Sequence, residues 1–268
     1  MRSGKMVLVV ASCALISLVW LIGGCSDDKP VVPVNPADAQ YQQVTAEVGQ
    51  YLDTLITQFA AGLTMAAQDG GATDVVTSSY SPINPDSLLT GNGWNVIYAT
   101  DLVAGYNSFR VDSIQFRHLG LPQDEVNGAD AMAIVHNWSI ENPDTTVDYR
   151  NIEVRSVLVF SSINTDDAVI NGMRNQVIST KAGGFKRDFD IQMSISGVTV
   201  SNANNGWQNG CPSSGLIQGT VDFTQQSGSG LPTTTSWNFE ITITDGAADV
   251  TVTAGPYSRS YSSTLCSL

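Results

Sequence analysis

From Trp94 to the end of the chain, apolar side chains recur at every second residue, and no second helix-period segment interrupts them. Period two puts alternate side chains on opposite faces of an extended strand. The pattern runs through Trp94-Val96-Tyr98, Phe109-Val111, Ile114-Phe116, Met132-Ile134, Ile152-Val154, Phe189-Ile191-Met193-Ile195, Phe239-Ile241-Ile243 and Val250-Val252. Between these runs stand turn formers: Asn127-Gly128, Asn142-Pro143-Asp144, Gly183-Gly184, Ser227-Gly228-Ser229-Gly230 and Asp245-Gly246. A parallel sheet needs a long, usually helical crossover between successive strands, and the sequence leaves no room for one. The expectation is an antiparallel meander of nine or ten strands within residues 72–268, opened by a loop over 72–93. A curved sheet, a half-barrel and a sandwich stay open, because filled and hollow interiors require the same alternation. Val169-Ile170-Asn171-Gly172 and Leu216-Ile217-Gln218-Gly219 form a weak internal echo.

Upstream the period is helical. Val44, Val48, Tyr51, Leu52, Leu55, Ile56, Phe59 and Leu63 fall at three- and four-residue steps, which predicts one long amphipathic helix over 37–71. Asn35 caps it, Pro36 fits the first helical position, and Gly70-Gly71 stops it. Gln42, Gln43, Gln50 and Gln58 offer no charge pairs for a coiled-coil partner, so the stripe is expected to lie on the sheet.

The first residues follow the plan of an export signal: Arg2 and Lys5, then an apolar run from Met6 to Ile22, then Gly23-Gly24. Residues 26–36 contain Pro30, Pro33 and Pro36 and read as an extended tether. At about 3.1 Å per residue it spans roughly 30 Å. Leu21-Ile22-Gly23-Gly24-Cys25 resembles the lipobox of bacterial lipoprotein precursors, with Ile22 where leucine is commonest. The resemblance implies cleavage after residue 24 and acylation of Cys25, which would hold the mature chain on a membrane. Aspartate after the cysteine signals inner-membrane retention in such lipoproteins, so Ser26 points towards the outer membrane. The β-rich segment from Cys211 to Cys266 is similar to the C-terminal region of uncharacterised envelope lipoproteins, which carry no assigned activity.

Twelve basic and 25 acidic side chains give a net charge of −13, and loss of residues 1–24 leaves −15 over 244 residues. That field argues against both nucleic acid and anionic lipid head groups as partners. Cys13 leaves with the signal and Cys25 is taken by lipid, so Cys211 and Cys266 remain as an expected disulfide in an oxidising compartment. Closing a loop of about 56 residues would stabilise the fold by roughly 4 kcal/mol.

No motif carries chemistry. The two histidines, His118 and His136, lie in predicted strands and are expected half-exposed on polar faces, with neither His-x-His nor His-Glu-x-x-His spacing. No Gly-x-Ser-x-Gly elbow presents a serine, and Gly228-Ser229-Gly230 lacks the lysine of a phosphate loop. Asp124-Glu125 and Asp166-Asp167 read as solvated pairs. Trp207, in the polar run Ser201–Gly210, is the one aromatic singled out as a possible ligand contact. These features suggest an envelope lipoprotein with a structural or binding role, without catalysis, metal or cofactor. The alternatives are a carrier of lipid or another hydrophobic ligand, and a glycan-binding or glycan-active module. The expected partners are the membrane, through Cys25, and a hydrophobic ligand or an envelope protein.

Overall fold

The computed structural model describes residues 37–52, 86–90, 93–103, 106–123, 127–144, 146–201, 207 and 210–265. Helix α1 covers residues 37–52. Twelve strands follow: β1 (Asp86–Thr90), β2 (Trp94–Val103), β3 (Tyr106–His118), β4 (Leu121–Gln123), β5 (Ala131–Glu141), β6 (Tyr149–Ser161), β7 (Asp167–Ala182), β8 (Phe185–Ser201), β9 (Cys211–Ser227), β10 (Thr233–Thr244), β11 (Ala247–Ala254) and β12 (Tyr257–Thr264). All belong to one antiparallel sheet in sequence order, with β4 set aside as a short partner of β3. Ten strands have eight or more residues, which matches the expected number; β1 and β4 are the short additions. β1 corrects the expected loop over 72–93, since its backbone pairs with Trp94–Tyr98 across Gly91-Asn92-Gly93. Among the described residues no pairing joins β1 to β12, so the sheet is open.

The helix is also corrected. Described helix ends at Leu52, well short of residue 71, and the rest of the expected helix lies outside the described residues, as do Asn35 and Pro36. Its stripe is where the periodicity put it: Val44, Val48, Tyr51 and Leu52 are at most 2 % exposed.

Two local devices keep the long strands in phase. Gly183 (φ 58°) and Gly184 (φ 83°) take the left-handed values that a two-residue hairpin between β7 and β8 demands. Within β8, Phe189, Ile191, Met193 and Ile195 are buried, and then the burial shifts to Val198 and Val200. Strict alternation would expose those last two. Gly197, at φ 58°, forms the bulge that resets the phase, and the pairing with β9 slips between Ser196 and Thr199.

The sheet curls round α1. Arg150 of β6 donates to Glu47 (3.2 and 2.9 Å), while Tyr261 of β12 donates its hydroxyl hydrogen to the Thr45 carbonyl (3.4 Å). Those strands are six steps apart in the sheet. On a flat sheet six steps span about 29 Å, whereas a helix with its side chains is about 10–12 Å across. Only a curled sheet meets both flanks of one helix. Tyr41 packs on Trp237 of β10 (ring centroids 6.4 Å apart) and Tyr51 lies under the guanidinium of Arg174 on β7 (4.9 Å). Side chains of α1 thus join Ile170, Ile178, Ile191, Ile217, Ile241 and Val250 in one continuous core.

Candidate functional site

The same alternation that buries Ile114 and Phe116 on β3 turns Arg110 and Asp112 inward. Met132 and Ile134 do this for His136 on β5, Val154 for Ser156 on β6, and Ile178 for Arg174 and Gln176 on β7. In register, Asp112 faces His136, His136 faces Ser156, and Ser156 faces Arg174. Directly opposed side chains of an antiparallel pair start about 4.5–5.5 Å apart at Cβ. The result is a polar seam crossing four strands of an otherwise apolar interior.

Asp112 is its centre. One carboxylate oxygen accepts from Arg110 Nε at 2.6 Å and Nη2 at 2.5 Å; the other meets His136 Nδ1 at 2.5 Å. Burial pushes the Asp112 carboxyl up, but its bonds to, and the charges of, His136 and Arg110 together outweigh burial and hold it below the usual carboxylate value. Arg174, only 2 % exposed, donates to Gln176 Oε1 at 3.1 Å. Burial lowers its pKa, with Tyr51 opposing, and burial also raises the Tyr51 phenol far above its ordinary value. Beside the seam, Glu47 holds Arg150 through a two-pronged ion pair, and Gln50 Oε1 accepts from the same guanidinium at 2.6 Å.

The order aspartate, histidine, serine is what a charge relay requires. The relay is not assembled here. His136 Nε2 is buried without a hydrogen-bond partner among the described residues, and Ser156 is 3 % exposed. The seam instead joins β3 to β5 through Asp112 and His136, and β7 to α1 through Arg174 and Tyr51.

The residues singled out from sequence are scattered. Cys25 and Cys266 lie outside the described residues, as does the Asp124-Glu125 pair. Cys211 opens β9, half-buried and disulfide-bonded. Trp207 is corrected: it is 3 % exposed, donates Nε1–H to the Ile163 carbonyl at 2.8 Å and stacks obliquely on Phe160 (5.9 Å), so it is a core plug rather than a ligand contact. His136 is corrected too, since it faces the interior. His118 is exposed, 3.6 Å from the Asp130 carboxylate. Asp166 and Asp167 are exposed. Among the described residues no three of His, Cys, Asp and Glu converge as a metal site would require. Sequence reasoning missed Asp112, Arg110 and Arg174. The signal was available in their parity: Asp112 lies two residues before buried Ile114, Arg110 four residues before it, and Arg174 midway between buried Ile170 and Ile178.

No family model, no curated protein and no solved structure matches this chain.

Proposed function

We propose that the chain is an envelope lipoprotein, acylated at Cys25, whose folded part is a binding or structural scaffold rather than an enzyme. The filled interior supports this reading most directly. Val44, Val48, Tyr51 and Leu52 occupy the space inside the curl between β6 and β12, and each is essentially inaccessible. In the seam beneath them the Asp112 carboxylate is taken by Arg110 and His136, and His136 Nε2 makes no hydrogen bond to Ser156. The lipobox-like Leu21–Cys25, Ser26 after it, the proline-rich tether and the net charge of −13 fit a domain held off the outer membrane and indifferent to nucleic acid.

A carrier of lipid or another hydrophobic ligand is the second reading, favoured by the curl of the sheet round a single helix. In that reading α1 swings out and an acyl chain takes its place against Ile191, Ile217 and Ile241. Native mass spectrometry of the mature protein, compared with its denatured mass, separates the two. Mass that departs on denaturation supports the carrier; a chain bearing nothing beyond its covalent acyl groups supports the scaffold. The glycan reading loses its main support with the burial of Trp207.

We also propose that the partner of Cys211 is Cys266. Leu265 N–H donates to the Gly246 carbonyl at 2.9 Å, and a Cβ on Gly246 would lie 3.2 Å from Cys211 Sγ. The residue preceding Cys266 and the sulfur of Cys211 therefore flank one glycine.

A further inference from the structure

The meander ends at β1 on one side and β12 on the other, and the two edges are unequal. β1 has five residues, whereas β12 has eight, paired with β11 from Tyr257 to Thr264 without a slip. Folded proteins blunt edge strands by shortness, proline, lysine or a bulge, because unpaired backbone groups are a template for another strand. β12 contains neither proline nor lysine and carries no bulge. Among the described residues no strand pairs with its far side, and Ser258, Arg259, Ser260, Ser262 and Thr264 are exposed.

One bond fixes which backbone groups face outward. Leu265 N–H donates to the Gly246 carbonyl at 2.9 Å, continuing the register of β11 with β12. Bonded positions alternate along an antiparallel pair, so Tyr257, Arg259, Tyr261 and Ser263 also direct N–H and C=O at β11. Ser258, Ser260, Ser262 and Thr264 therefore direct theirs at the open edge. Two of their hydroxyls turn back to β11: Ser260 Oγ bonds Thr251 Oγ1 at 2.9 Å, and Ser262 Oγ donates to Asp249 at 2.6 Å. The odd-numbered side chains lie on the helix side, where Tyr261 reaches Thr45 and Arg259 covers the Tyr41 ring.

We propose that β12 pairs antiparallel with β12 of a second copy, joining two sheets into one. Charge favours this occupant: a net charge of −13 sets two copies against each other, but residues 250–268 contain no acid and a single cation, Arg259. Symmetry favours it too. A two-fold axis normal to the sheet opposes even with even residues, which is the phase in which the outward groups of β12 meet. With the axis at Ser260, Ser258 faces Ser262 and Arg259 faces Tyr261, a cation beside a ring. An axis at Arg259 would oppose the two guanidiniums instead. About six backbone bonds close across the axis, and a contact this small is reversible. A foreign strand would need side-chain pockets for selectivity, and the row Ser258, Ser260, Ser262 offers none. The pairing does not depend on acylation of Cys25.

The test is the mass of the full chain in detergent, read by light scattering corrected for the micelle, across a dilution series. The expected result is a two-copy mass that falls to one copy on dilution. Ser260→Pro removes an N–H that the pairing with β11 does not use, and Ser260→Lys brings two like charges to the axis. Each should give a single-copy mass with unchanged circular dichroism. Under mild oxidation Ser260→Cys should link two copies at least about ten-fold faster than Ser258→Cys. Opposed Cα atoms at the axis lie about 5.5 Å apart, within disulfide reach, whereas the two copies of residue 258 are offset by about 14 Å along the strands. Peptide mass spectrometry places the link on β12. A single-copy mass at every concentration, a dimer that survives both Ser260→Pro and Ser260→Lys, or equal linking at the two sites would each overturn the proposal.

Discussion

Replacing Asp112 with alanine removes the acceptor of three bonds at once: two from Arg110 and one from His136. The carboxylate side chain is 4 % exposed and the imidazole 12 %, so neither regains water easily, whereas the guanidinium at 35 % does. Breaking a buried ion pair costs about 3–5 kcal/mol; allowing for rehydration of Arg110, the expected loss is about 2–4 kcal/mol. For a domain of this size that lowers Tm by roughly 5–15 °C. Asp112→Asn keeps one acceptor and should lose about half as much. The pH dependence follows from the depressed carboxyl. A group whose folded pKa lies below its unfolded value of about 3.9 contributes stability that is present above that value and is lost as pH falls through the folded pKa. The gap between wild type and Asp112→Ala in guanidinium unfolding should therefore be full at neutral pH and shrink below about pH 4. A gap under about 0.5 kcal/mol at neutral pH would mean that the seam is not a stabilising network. A gap indifferent to acid would mean that the carboxylate charge plays no part in it.

Other substitutions probe packing. Gly219→Ala places a Cβ 2.3 Å from the Gln192 carbonyl and 2.5 Å from the Phe239 ring, so it should cost about 1–3 kcal/mol. Because a backbone oxygen makes half of that clash, Phe239→Leu in the same chain should relieve only part of it, read as a double-mutant cycle in chemical denaturation. Trp207→Phe keeps the contact with Phe160 but loses the bond to Ile163, a loss of about 1 kcal/mol, while Trp207→Ala should lose about 3–5 kcal/mol. Thiol titration of the unfolded, unreduced mature protein should find no free sulfhydryl from Cys211 or Cys266. Two free thiols would sink that pairing.

Strand positions were legible because a half-buried sheet writes its pleat into the sequence. Phe239-Ile241-Ile243 and Val250-Val252 are both buried as their alternation requires. The phase reset in β8 was harder to see. Gly197 looks like any strand-breaking glycine until the pairing with β9 shows two buried sets of opposite parity joined through it. The seam was obscured for a related reason. Hydropathy weighs Asp112 and His136 as surface residues, and only their mutual compensation lets them occupy inward positions. Trp207 was misjudged from the polarity of its neighbours in sequence, whereas its environment comes from Ile163 and Phe160, more than forty residues away. Short β1 carries too few residues to show a period at all.

The helix–sheet contacts also order events in time. Neighbouring strands pair with their sequence neighbours, so most of the sheet zips up through local contacts as the chain becomes available. Helix α1 is the opposite case. Its bond to Arg150 closes across 103 residues and its bond to Tyr261 across 216. Helix α1, which precedes every described strand in the chain, is thus the last to find its place, because half of its socket is β12. Until β12 arrives, Tyr41, Val44 and Val48 have no complete seat, and the growing chain carries an unburied apolar helix face.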